Sequence, residues 1–129
     1  MLEITEYMKH DSNSLQMMFF LAKDEVTRYS RIRAVLDSKE RIQQKLDELD
    51  SYIVQRSTEL AVAKSERIAE NITFLLKRYL ELRQQFYVCL EDDESRRYEI
   101  SKITQLIEGE LTEKIKRIYI ALGAKGCRI

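Results

Sequence analysis

The sequence predicts an all-α fold, a bundle of three to four long amphipathic helices with coiled-coil-like packing, and three observations lead there. The 129 residues include no proline and only three glycines, so the punctuation that β-hairpins need is scarce. Charged residues make up 34% of the chain and hydrophobic ones 44%, enough for a modest core beneath a heavily solvated surface. Apolar residues recur at steps of three and four, most regularly between Ser65 and Leu90, where Ile68, Ile72, Leu75, Tyr79, Leu82, Phe86 and Cys89 line one helical face. Such a stripe is a core seam or a partner-binding face, and a helix carrying it needs other helices to cover it. A charge placed at Leu75 or Phe86 is expected to be buried without a partner and to cost soluble protein.

The length is that of one domain, and residues 1–129 are read as a single helical domain with a polar N-terminal segment, 1–14, and a short C-terminal tail, 123–129. The run Asp11 to Ser14 offers N-cap side chains, which predicts a first helix from about Leu15. Its buried face would carry Leu15, Met18, Phe19, Ala22, Val26, Tyr29, Val35 and Leu36, with Lys23, Asp24, Arg28 and Arg31 mostly opposite. The methionines and phenylalanines of this stretch are read as core, with a peptide-binding surface as the other reading.

Asp37 or Ser38 can cap a second helix starting at Lys39, whose stripe is Ile42, Leu46, Leu49 and Ile53. Continuing that register sets Leu60 and Ala63 on the stripe, but Arg56 and Arg67 as well, and the seam resumes out of phase after Ser65. Between Gln55 and Ser65 two solutions stay open, a short turn with Ser57 or Ser65 as N-cap or a phase shift within one very long helix. The run Glu91 to Ser95 ends the central helix and favours the start of the next. A carboxylate metal site there would need spaced ligands and a turn glycine, which this run lacks. The last helix is expected from about Arg96 to Leu122 on Ile100, Ile103, Ile107, Leu111, Ile115, Ile118 and Leu122, slightly weakened by Gly109 and C-capped by Gly123.

Chemistry is sparsely signalled. There is no P-loop, GxGxxG, HExxH or GxSxG, and His10 stands alone in the polar N-terminal segment. Enzyme activity, cofactors and small-molecule substrates are therefore not expected. The two cysteines, Cys89 and Cys127, make no disulfide framework, and no zinc-ligand spacing exists. The most apolar run, Leu15 to Ala22, is too short to span a membrane and is preceded by Glu3 and Glu6, where a signal peptide wants basic residues. The chain reads as a soluble intracellular protein.

Lysine plus arginine equal aspartate plus glutamate at 22 each, unlike the basic excess of a nucleic-acid coat. Local basic pairs do lie beside tyrosines, with Lys77 and Arg78 next to Tyr79, Arg96 and Arg97 next to Tyr98, and Lys116 and Arg117 near Tyr119. Basic residues interleaved with aromatics are what single-stranded nucleic acid binding uses, so Lys77, Arg78, Arg96 and Arg97 are its candidate contacts. Tyrosines at the rim of a helical core are the competing reading.

Two stretches together resemble subunits of the GINS complex of DNA replication. The run Ala34 to Ile53 is similar to an early helix of that family's helical domain, in which a leucine and Ser-Lys precede a polar helix. The run Ser65 to Arg83 is similar to its long helix, with Glu66, Arg67 and Ile68 followed by leucines and then Tyr79, Leu80 and Arg83. The helix Arg96 to Leu122 has a counterpart in order. The resemblance implies a non-catalytic scaffold subunit that joins helices with sister subunits and helps couple the replicative helicase to its partners, nuclear in a eukaryote and otherwise cytoplasmic. The alternative is a small export chaperone of the flagellar or type III type, whose apolar grooves hold client helices. Either way the expected partners are proteins, in a hetero-oligomer or as a homodimer when isolated.

Overall fold

The computed structural model describes residues 2–126, and these are helical almost throughout, with no strand among them. The helices are α1 (Ile4–Tyr7), α2 (Ser12–Leu36), α3 (Lys39–Ala61), α4 (Glu66–Glu91), α5 (Asp93–Gln105) and α6 (Thr112–Ala124), with a π-helical stretch, Leu106–Leu111, joining the last two. None is long and apolar enough to cross a membrane among the described residues. The expectation placed on Cys127 lies outside them. The chain packs as two compact units, one from residues up to Ala34 together with those from Ile100 onward, the other from Val35–Glu99.

The first unit closes the chain's two ends on each other. Tyr7, Leu15 and Phe19 pack with Ile118, Ala121 and Leu122 in one buried cluster, flanked by Met18 and Ile115. The N-terminal segment is thus not merely polar, because α1 carries Tyr7 into this core, where it is only 2% exposed. Burial raises the pKa of its phenol, and Arg117 offsets part of that rise. Arg117 also fastens α1, donating from Nη1 to the Leu2 carbonyl at 3.0 Å and pairing with Glu3 at 3.6 Å, while its Nε bonds Glu113. Helix α2 begins three residues before the expected Leu15, since Asp11 accepts the Ser14 amide at 2.7 Å and its own carbonyl accepts the Leu15 amide.

The expected single α-helix from Arg96 to Leu122 needs three corrections. It begins at Asp93, because Asp92 is the cap, taking the Glu94 amide at 3.1 Å and the Ser95 hydroxyl at 2.7 Å. Its middle widens into the π stretch, where wider turns slip the register by about one residue and let Ile103 and Leu111 both be buried. Gly123 is not the cap. The helix runs on to Ala124, and the glycine in the left-handed conformation that ends such helices is Gly126, at φ +76°.

The second unit is a helical hairpin. Ser38 caps α3 through the Arg41 amide at 3.1 Å, and Ser65 caps α4 through the Ile68 amide at 3.2 Å. A turn over residues 62–65 therefore divides the two helices, which settles the choice left open between Gln55 and Ser65 against one continuous rod and for Ser65 as the cap. At the open end of the hairpin Arg96 donates to the Leu36 carbonyl at 3.1 Å, satisfying the end of α2, and Lys39 pairs with Asp93 at 3.3 Å.

Candidate protein-binding faces

Helix α4 presents its stripe to α3, but the two ends of that stripe are covered very differently. Near the open end Phe86 and Cys89 are 4% and 3% exposed, and Leu36, Ile42, Leu46 and Leu49 of the same unit are buried as well. Midway, Tyr79 and Leu82 are partly buried. Toward the turn burial is uneven, with Ile68 48% and Leu75 38% exposed but Ile72, between them, only 8% exposed. The stripe is covered at Ile72 and partly open on either side of it, at Ile68 and Leu75. A charge at Leu75 would thus reach solvent, whereas one at Phe86 would not.

Polar contacts hold the hairpin in register midway. Arg83 Nε donates to Asp50 Oδ1 at 2.5 Å, and this contact first, then the charge of Asp50, raises the arginine's pKa. The rings of Tyr52 and Tyr79 lie 5.7 Å apart, and the Tyr52 hydroxyl donates to Glu48 at 3.0 Å, which raises the pKa of Tyr52.

Other large apolar side chains face away from any core. On α2, Met17, Phe20 and Leu21 are more than half exposed and share one face by their spacing. On α4, Phe74 is 61% and Leu80 54% exposed, and Val62 at the hairpin turn is 72% exposed. The core reading of the α2 methionines and phenylalanines holds for Met18 and Phe19 and fails for Met17 and Phe20, which stand on the next face of the helix. Phe74, Leu80 and Val62 were missed because sequence reasoning followed the best-ordered stripe. Their signal was the apolar residues left over from that stripe, Phe74 and Leu80.

The four candidate nucleic-acid contacts do not form one set. Arg96 is turned to the backbone at the end of α2 and has little freedom to meet a phosphate. Arg78 lies over the Phe74 ring, 6.0 Å from its centre, while Lys77 and Arg97 are exposed. Of the neighbouring tyrosines, Tyr98 and Tyr119 are exposed and Tyr79 is half-buried against α3.

An open notch of about 460 Å³ lies between the end of α4 and the start of α5, lined by Gln84, Gln85, Val88, Cys89, Asp92, Glu94, Ser95, Tyr98 and Glu99. Its thiol is a poor nucleophile, because burial, and then the charge of Glu99, pushes the Cys89 pKa up. No group of three or more histidine, cysteine, aspartate or glutamate side chains is placed to hold a metal among the described residues. Comparison with known proteins finds no family model, no curated protein and no solved structure that matches this chain.

Proposed function

We propose that the chain is a non-catalytic helical subunit of a multiprotein assembly. The observation that carries this reading is the exposed face of α2, where Met17, Phe20 and Leu21 stand together at 61%, 54% and 54% exposure. Contiguous apolar side chains of this size on a helix favour a second protein surface over water. The GINS resemblance gives the reading its specific form, a scaffold subunit that helps couple the replicative helicase to its partners. In that form the protein is intracellular, nuclear in a eukaryote and otherwise cytoplasmic.

The same α2 face also suits an export chaperone, since aromatic and methionine side chains accept an amphipathic client helix. Affinity purification from the native cell separates the two. Sister subunits and helicase components, lost when Phe20 and Leu21 are both replaced by serine, are the expected result. A secreted client in their place supports the chaperone, and nuclease-sensitive recovery would return nucleic acid binding to first place. Recovery of the same proteins with the serine variant would remove α2 from the argument.

A further inference from the structure

The geometry points to self-association of this chain through the outer face of α4, two copies crossing antiparallel with Phe74 on the two-fold axis. The face is defined by spacing. Arg67, Glu70, Phe74, Arg78 and Glu81 stand at −7, −4, 0, +4 and +7 about the phenylalanine, positions that share one side of a helix. It is a different side from the stripe that faces α3, and all five residues are exposed.

The charges about Phe74 are arranged so that a second copy completes them. In an antiparallel pair with its axis at Phe74, Arg67 lies opposite Glu81 and Glu70 opposite Arg78, each contact occurring twice by symmetry. A parallel pair in register would set each charge against its own kind, so the pattern selects the antiparallel arrangement. Within the chain these charges are unspent. No ion pair engages any of the four among the described residues, although Arg67 with Glu70 and Arg78 with Glu81 have helical spacing that would allow it. Phe74 supplies the apolar centre that ionic rims alone lack, with Arg78 laid over its ring.

The overlap between the copies runs from Glu66 to Leu82, about 25 Å of helix. One helix pair of that length buries less than the roughly 800 Å² per partner of a standard interface, so the dimer is weak, reversible and salt-sensitive. This pairing goes beyond the subunit reading and does not depend on it. Its test uses the purified chain alone, whereas the subunit reading is decided by co-purification through α2.

Sedimentation equilibrium of the full-length chain over a wide concentration range at low salt provides the test, with circular dichroism confirming the fold of each variant. The wild type is expected to associate to a dimer. Glu70→Arg and Arg78→Glu should each weaken it about tenfold, since each variant replaces two attractive contacts with two repulsive ones. Combining both substitutions restores opposite charges and should return the affinity to within about threefold of wild type. Phe74→Ser should abolish the dimer. A wild type that stays monomeric throughout, single reversals without effect, or a double swap no better than the singles would each overturn the proposal.

Discussion

The two ends of the α3–α4 hairpin are made from the same repeating pattern and end in different physical states. At the open end Phe86 and Cys89 are nearly sealed, and there the end of α2 and the start of α5 join the hairpin through Arg96 on the Leu36 carbonyl and Lys39 with Asp93. At the turn Ile68 and Leu75 continue the stripe in phase yet keep between a third and a half of their surface in water, and only Ile72 between them is buried. Periodicity tells which side of a helix is apolar. How many neighbours that side has is decided by elements distant in sequence, and energetic weight follows the neighbours.

The sharpest way to break this contrast is to truncate both ends equally. Phe86→Ala should cost about 3–5 kcal/mol, the range for emptying a buried aromatic site, and Phe86→Asp should prevent soluble folding. Leu75→Ala should cost only about 1 kcal/mol, because much of its side chain is already hydrated. Leu75→Asp should remain soluble. Urea unfolding of the alanine variants measures both costs, and equal losses would mean that the turn end is covered as fully as the open end.

A smaller effect sharpens the contrast at the turn itself. Ser65→Ala removes the side chain that stops α4 from fraying and should cost about 1 kcal/mol, whereas Ser57→Ala, within α3, should be nearly silent. Amide exchange would show the loss confined to Glu66, Arg67 and Ile68, next to the turn. A comparable loss from Ser57→Ala would contradict the assignment of the cap.

The smallest effect depends on pH. At the open end Asp92 caps α5, and its pKa is lowered first by the Ser95 hydroxyl and then by the Glu94 amide. A carboxyl whose folded pKa lies below its unfolded value contributes stability above that unfolded value, near pH 4, and loses it as pH falls through the folded one. The serine caps of α3 and α4 do not titrate. Acidification below about pH 4 should therefore loosen the start of α5, and likewise α2 at Asp11, whose pKa is lowered first by the Ser14 amide. The first turns of α3 and α4 should be spared. Residue-resolved NMR titration reads this directly, and uniform loosening of all four starts would reject the distinction.

By itself the sequence determined the helical class, the start of α3 at Lys39 and the apolar faces of α2, α3, α4 and α6. These depend on short-range quantities, namely the 3.6-residue period, side-chain capping and the near absence of glycine and proline. It also narrowed the hairpin turn to an eleven-residue window, from Gln55 to Ser65, containing two serines that could cap, without choosing between turn and rod. The choice belonged to the packing of α4 back on α3, fixed by Arg83 with Asp50 and by Tyr52 beside Tyr79. Tertiary structure alone decided that Tyr7 is core, since nothing within ten residues of it announces that Ile118 and Leu122 will close over it. It alone placed the π stretch, whose extra width serves the simultaneous burial of Ile103 and Leu111 and answers to no local signal but the weak helix former Gly109. The common reason is range. Local backbone preferences are written in neighbouring residues, whereas burial depends on what arrives from the far end of the chain.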